Sequence, residues 1–224
     1  MGLSQLQLVI CKEEELGDAA RFIAKHHCGH MYVTPEIVSS AAVARTMIGA
    51  SYKMHVMVNY PKGNKYGQDK FAGTRTEFFL VDGYDIVLTP GCDHGMIMKE
   101  VESLKKFVLQ MISPVSELSF TINQSVRTPE EIEWCAKAFF ANPPTRIKLE
   151  AQTKIQPTKA TVEVHSETIK AIREHCQSPI VVCGNVNYKI YSELQDKVDG
   201  FAVSLYQANR IVESIEEAKS KDNE

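Results

Sequence analysis

The chain has 224 residues, of which 44% are hydrophobic and 24% are charged, and its net charge is −3 at pH 7 with histidine neutral. These proportions are typical of a globular protein with its own core, and the near balance of charge gives no electrostatic basis for binding nucleic acid or an acidic membrane. No apolar run approaches the roughly 20 residues of a membrane span, and the N-terminal segment has neither the basic start nor the long apolar stretch of a secretion signal. We therefore expect a cytoplasmic protein with no membrane or nucleic-acid partner.

The six cysteines are dispersed along the chain and form no C-x-x-C pair. This spacing argues against a disulfide framework and against a zinc ribbon, so we expect most of these thiols to be buried as small apolar groups.

Short apolar runs rich in β-forming residues alternate along the chain with stretches of helical spacing. The predicted strands are Leu6–Ile10, His30–Val33, Met54–Val58, Tyr84–Leu88, Glu117–Ile122, Arg146–Leu149, Ile180–Cys183 and Gly200–Ser204. The predicted helices are Glu15–His26, Pro35–Ile48, Gly95–Met111, a helix that starts at Thr128, Ser166–Cys176, Asn187–Lys197 and Ala208–Lys219, with a polar tail from about residue 218. The clearest start signal is Thr128–Glu131, where an N-cap threonine precedes a proline and two acids suited to the positive end of a helix dipole.

Strict alternation of strands and helices indicates parallel strands joined by helical crossovers. Eight strands with about eight helices in this length predict a closed (β/α)8 TIM barrel, formed by residues 1–224 as a single domain. The alternative is an open doubly wound sheet, which usually has a glycine-rich first turn. The first turn here, Cys11–Glu14, contains no glycine.

Two charged residues lie inside predicted strands of this barrel. Ile147 and Leu149 share one side of their strand and would pack on helices, which turns Lys148 to the barrel interior. Burial of the ammonium there lowers its pKa and makes Lys148 a candidate Schiff-base nucleophile. Asp85, in a strand where aspartate is disfavoured, could pair with the lysine or move a proton. The alternative interpretation is a structural ion pair in the barrel's polar layer.

Five segments match the motifs of one known family in order and spacing, within a stretch from about His30 to Val212. They are Val58–Asn64, similar to V-x-F-P-x-G; Tyr84–Val87, similar to E-x-D-x-V; Thr128–Ile132 at a helix start; Arg146–Lys148, where the family has F-[IV]-K-T-S-T-G; and Ala160–Glu163, similar to A-T-x-E. The family that they resemble is the deoxyribose-phosphate aldolases, which are class I aldolases. The resemblance implies that Lys148 forms the Schiff base and that Asp85 is the proton-relay aspartate.

The sequence departs from this family at several places that bear on catalysis. Leu149–Gln152 replaces T-S-T-G, and Ile180–Asn185 replaces V-K-[AP]-[SA]-G-G, whose lysine lowers the pKa of the Schiff-base lysine. Ala202–Leu205 replaces the phosphate-binding G-T-S-S, and Tyr32 replaces a cysteine. Lys154, Lys159 or Lys189 could supply the missing cation, although none of them stands at the matching position.

The expected activity is therefore that of a class I lyase that reversibly cleaves or condenses a small sugar, sugar phosphate or aldehyde through an imine at Lys148. Because the active site of a barrel lies at the carboxyl ends of its strands, the expected substrate-binding residues are Asn59, Asn123, Gly184, Asn185 and Ser204. We expect no cofactor, and the sequence leaves a homo-oligomer open. One alternative is a catalytically silent barrel that acts as a binding protein; another is a lyase of altered chemistry that uses Glu150 or Cys183.

Two clusters outside this set contain residue types that bind ligands. His26–His30 is rich in metal-ligand residues, but it precedes a strand and so lies at the end of the barrel that serves stability, and we expect no metal there. His94 and the lysines Lys62, Lys65 and Lys70 follow strands on the catalytic face, where solvated loops are the alternative interpretation.

Overall fold

The computed structural model describes residues 3–61, 63–72, 80–112, 116–151 and 161–221. Eight parallel strands pair in chain order, and the last pairs with the first, so the sheet closes into a barrel. This confirms the predicted (β/α)8 barrel over an open sheet. The strands are β1 Leu6–Ile10, β2 His30–Val33, β3 Lys53–Val58, β4 Gly83–Val87, β5 Glu117–Asn123, β6 Arg146–Glu150, β7 Ile180–Cys183 and β8 Gly200–Val203.

Seven α-helices lie outside the barrel in the described ranges. They are α1 Leu16–His26, α2 Val38–Ile48, α3 His94–Phe107, α4 Pro129–Ala141, α5 Val162–Arg173, α6 Tyr188–Leu194 and α7 Leu205–Lys221. The predicted alternation has an exception between β3 and β4, where the described part of the connection contains a 3-10 turn, Gly67–Phe71. None of the described helices is long and apolar enough to cross a membrane.

Local signals in the sequence explain several of the helix ends. At Thr128 the predicted start is a full capping box, in which Thr128 and Glu131 each hydrogen-bond the other's backbone. The helix expected from Ser166 begins earlier, at Val162, because the Thr161 side chain caps it by accepting a bond from Val164. The last helix runs to Lys221, so the first part of the predicted polar tail is helical.

The cysteines, all of which lie in the described ranges, form no disulfide, and all except Cys11 are buried. This matches the expectation drawn from their dispersed spacing.

The two faces of the strands have different chemistry. Outward residues such as Ile147 and Leu149 are fully buried between barrel and helices, where each contributes roughly 1.5–3 kcal/mol. The inward face of the same strand carries Arg146, Lys148 and Glu150, which are also buried. The alternation that predicted an inward Lys148 is therefore confirmed, and it extends to the residue two positions further along β6.

Candidate active site

Lys148 and Asp85 meet in the middle of the barrel. Lys148 is 2% exposed and Asp85 is fully buried, and Lys148 Nζ lies 2.5 Å from Asp85 Oδ2. The other carboxylate oxygen of Asp85 accepts a 2.8 Å bond from Thr121 on β5, the residue in register with Lys148. The Lys148 ammonium also lies 3.9 Å from the centre of the Tyr32 ring, so Tyr32 stabilises its positive charge from β2.

The ion pair reverses the direction in which burial alone would move the pKa of Lys148. Burial is the largest single influence and lowers that pKa, whereas the charge of Asp85 is the main influence that raises it. The raising influences together leave the pKa above its ordinary value. No cation is among the described groups that chiefly shift this pKa, so the second cation that would lower it is not provided by them. The lysine is therefore protonated at neutral pH.

Three lysines were candidates for a second cation that would lower the pKa of Lys148. Lys154 and Lys159 lie outside the described residues. Lys189 is exposed on α6, with its ammonium 3.9 Å from Glu193.

Two of the lysines that follow strands on the catalytic face can be placed in the same way. Lys62 lies outside the described residues, whereas Lys70 is buried in a pair with Glu100 at 3.2 Å.

A cavity of about 470 Å³ opens above Lys148 at the carboxyl ends of the strands. Its volume lies within the range typical of sites for small molecules. The described residues that line it are Val9, Cys11, Lys12, Glu15, Met57, Tyr60, Lys148, Glu150, Cys183, Gly184, Asn185, Ala202, Ser204 and Gln207. Three of the predicted substrate-binding residues, Gly184, Asn185 and Ser204, are in this set.

The side chains of the other two predicted substrate-binding residues, Asn59 and Asn123, form hydrogen bonds within their own loops. Asn59 has a left-handed backbone, with φ at 57°, and its side chain hydrogen-bonds the backbone of Lys65. Asn123 accepts a 3.1 Å bond from the backbone of Ser125 and so caps the turn that follows β5. Neither is among the described residues that line the cavity.

Glu150 lies at the cavity end of β6. Its carboxyl is 3% exposed and accepts a 3.2 Å hydrogen bond from the Tyr60 hydroxyl. Burial raises the pKa of Glu150 to about 7, while Lys148 and the Tyr60 hydrogen bond act in the opposite direction. Glu150 was expected to act only in the alternative of a lyase with altered chemistry. The signal that could have found it is its position two residues after Lys148, on the same face of the strand.

Cys183, the other residue of that alternative, is held as a neutral thiol. It donates a 3.3 Å hydrogen bond to the carbonyl of Leu149, and burial raises its pKa well above the ordinary value. A thiol is a weak nucleophile compared with a thiolate, so this environment does not activate Cys183.

Gln207 also lines the cavity, although the sequence did not predict it there. Its side-chain carbonyl accepts a 3.2 Å bond from the backbone N–H of Ser204, just before α7, and its amide donates a 3.0 Å bond to the Asn185 side chain. The backbone N–H of Ser204 is therefore already hydrogen-bonded to a neutral side chain of the protein. In the sequence Gln207 is one polar residue of an amphipathic helix, and nothing distinguishes it there.

The opposite end of the barrel contains a second polar cluster. His30, from the histidine-rich segment, has Nδ1 at 3.1 Å from Nε2 of His55. One ligand atom from each of His30, His55 and Glu117 lies within 4.8 Å of the other two, a spacing that could hold a metal ion. The Arg146 guanidinium lies among them, at 2.9 Å from His30 Nδ1 and 3.1 Å from Glu117 Oε2. The protein therefore supplies its own cation at this position.

No protein-family model and no curated protein matches the sequence. The fold, however, is similar to solved aldolases. Deoxyribose phosphate aldolase from Aeropyrum pernix superposes with a TM-score of 0.80 over 96% of this chain and 90% of its own, at 11% identity. An aldolase named QR15 gives a TM-score of 0.75 over 96% and 95%, at 15% identity. The YdjI aldolase from Escherichia coli K12 gives 0.62 over 88% and 73%, at 7% identity. At these identities the similarity shows the fold alone, an aldolase-like TIM barrel, as the motif resemblance predicted.

Proposed function

We propose that this chain is a carbon–carbon lyase of the class I aldolase type, with Lys148 as its Schiff-base residue. The observation that carries the proposal is a buried lysine that lines a cavity at the carboxyl ends of the strands, in a barrel with the fold of deoxyribose-phosphate aldolases. A lysine on the protein surface would not be enclosed in this way. Barrel enzymes place their catalytic groups at the carboxyl ends of the strands, where Lys148 meets the cavity.

The chemistry begins with loss of a proton from Lys148, because only the free amine attacks a carbonyl. Asp85 is placed to accept this proton along the 2.5 Å contact. The amine then adds to the carbonyl carbon, water leaves, and the resulting protonated imine accepts the electron pair of the carbon–carbon bond that breaks. The hydroxyl on the carbon that becomes the aldehyde loses its proton as this bond breaks, so the first products are an aldehyde and an enamine. Protonation of the enamine carbon and hydrolysis of the imine release the second product, and the reverse sequence forms the bond.

The cavity supports a small polar substrate, such as a short sugar or aldehyde. Asn185, Ser204 and Gln207 offer neutral hydrogen-bonding groups to hydroxyls on one side of it. The Aeropyrum pernix enzyme is described as tetrameric, which makes self-association the first assembly property to measure for this chain.

The competing function is a catalytically silent barrel that binds a small molecule. The observation that favours it is the raised pKa of Lys148, which is held as an ammonium by Asp85. In that case the pair is a structural element of the barrel interior, and no carbonyl compound becomes attached to it.

Borohydride trapping separates these two functions. The protein is incubated with acetaldehyde, reduced with borohydride and mapped by peptide mass spectrometry. We expect one ethyl group on Lys148, its loss in Lys148→Met, and its retention in the control Lys12→Met, which removes another lysine that lines the same cavity. Wild-type protein without modification at Lys148 would establish the silent barrel instead.

A further inference from the structure

Asp85 is well placed to exchange a proton with Lys148 and poorly placed to reach a substrate. It is fully buried, and its two oxygens are engaged by Thr121 and by Lys148 itself. Among the described residues that line the cavity, Lys148 is present and Asp85 is not. Proton transfer to or from the substrate's own atoms therefore needs another group that has access to the cavity.

Glu150 has this access. It lines the cavity, and it lies two residues after Lys148 on the same inward face of β6, which places the two α-carbons about 7 Å apart. A small molecule attached to the Lys148 amine would extend from the barrel centre into the cavity, past the Glu150 carboxyl.

The surroundings of Glu150 let it exist with and without its proton near neutral pH. The Tyr60 hydroxyl donates to Oε1 of Glu150, and burial raises the pKa of Tyr60, so this donor stays protonated. Burial likewise raises the pKa of Glu150 to about 7, the value that suits a group that alternately accepts and donates a proton. The titratable groups that act on Glu150 are Lys148 on β6, Asp85 on β4, Tyr60 after β3 and Cys183 on β7. Cys11, Lys12 and Glu15, from the segment after β1, line the same cavity.

We propose that Glu150 is the acid–base residue that moves protons on the substrate, while Asp85 serves only the lysine. This rests on the proposed function, because it needs the imine at Lys148. In the cleavage direction the Glu150 carboxylate takes the proton of the hydroxyl on the carbon that becomes the aldehyde. The carbon–carbon bond breaks, and its electron pair moves to form the enamine. The Glu150 carboxylic acid then gives the same proton to the enamine carbon, and water hydrolyses the imine to release the second product.

Exchange of the methyl protons of acetaldehyde in D2O isolates the proton transfer between Glu150 and the substrate carbon. Exchange requires the imine at Lys148 and a base that removes a proton from the adjacent carbon, and it requires no second substrate. Proton NMR follows the exchange, and borohydride trapping of the same samples measures imine formation independently. The variant Glu150→Gln keeps the shape of the side chain and removes its acid–base group. Glu15→Gln is the matched control, because it removes another carboxyl that lines the cavity.

We expect Glu150→Gln to trap acetaldehyde at Lys148 within about twofold of wild type and to exchange protons about 100-fold more slowly, the usual lower bound for a lost general base. Glu15→Gln should match wild type in both measurements. Tyr60→Phe should move the midpoint of the exchange rate to higher pH, because the Tyr60 hydrogen bond holds the pKa of Glu150 down.

Three outcomes would overturn the assignment, and they are distinguishable. Wild-type exchange in Glu150→Gln would remove Glu150 from the proton transfer while leaving the Lys148 chemistry intact. Equal loss of trapping and exchange in a folded Glu150→Gln variant would place its effect in imine formation. Absence of trapping in the wild type would overturn the proposed function, and this inference with it.

Discussion

The two ends of β6 carry charged side chains on the same inward face, yet the protein treats them differently. At the amino end, Arg146 hydrogen-bonds His30 and forms an ion pair with Glu117, and the Lys53 ammonium pairs with the second oxygen of Glu117. At the carboxyl end, Glu150 has Tyr60 as a partner and faces a cavity. A charge inside this barrel is therefore a structural element where protein groups surround it and a candidate reactive group where a cavity adjoins it.

Electrostatics at the two ends have opposite consequences. Burial and the charge of Arg146 lower the pKa of His30 to about 4, so this imidazole is neutral at pH 7. At the other end burial raises the pKa of Glu150 to about 7. Near neutral pH, His30 at the amino end therefore keeps its charge state, whereas Glu150 at the carboxyl end changes its own.

The largest effect on stability is expected from breaking the Lys148–Asp85 ion pair, which lies between the two ends of β6. Asp85→Asn leaves the Lys148 ammonium buried without its counter-ion, and removal of one partner of a buried pair costs roughly 3–5 kcal/mol. We expect the free energy of unfolding, measured with urea, to fall by that amount at pH 7.

The matched control removes both charges. The double variant Asp85→Leu with Lys148→Met leaves no buried charge at this level of the barrel, and such replacements are often neutral or stabilising. It should recover most of the lost stability. If Asp85→Asn were as stable as wild type, the pair would contribute no structural constraint between the two ends.

The second effect is the pH dependence of stability at Glu150. The folded pKa of about 7 exceeds the ordinary 4.5, so between these values the folded state binds more protons than the unfolded state, and stability is lost as pH rises. A shift of this size corresponds to about 3 kcal/mol above pH 7. Glu150→Gln removes the titrating group, so we expect its stability relative to wild type to rise by up to that amount between pH 5 and pH 8.

The amino end provides the comparison of opposite sign. His30 has a folded pKa of about 4, below the ordinary 6.5, so the unfolded state binds more protons between these values. Stability from this group is lost as pH falls from 6.5 to 4, and His30→Gln should lessen that loss. Urea unfolding of both variants across pH 4–8 measures the two slopes, and slopes of the same sign would contradict the contrast between the ends.

The barrel and its central pair were predictable because they depend on periodicity. Alternation along β6 placed Ile147 outward and Lys148 inward, and the structure shows both. The same alternation extends to Glu150, but the predicted strand ended one residue too early, so its inward position was not recognised. A strand of five residues here, rather than four, adds the third inward charge.

The remaining features of the site depend on contacts between distant segments, which periodicity does not encode. The direction of the Lys148 pKa shift is set by a 2.5 Å contact with a residue 63 positions away. Asn123 was placed correctly at the end of its strand, yet its side chain caps its own turn. Gln207 reaches the cavity through a bond to Asn185, 22 residues earlier. Pattern locates strand ends, whereas side-chain direction there follows from local hydrogen bonds.

The smallest of the expected effects tests whether the amino end is structural only. Arg146→Met removes the guanidinium that hydrogen-bonds His30, and loss of a hydrogen bond to a charged group costs about 2 kcal/mol. We expect urea unfolding to show this loss, while borohydride trapping of acetaldehyde at Lys148 stays at the wild-type level, because Arg146 is not among the described residues that line the cavity. The control Arg21→Met breaks an exposed pair with Asp18 and should change stability by less than about 1 kcal/mol. Loss of trapping in a folded Arg146→Met variant would show that the two ends are coupled through β6, and the division between a structural end and a reactive end would fail.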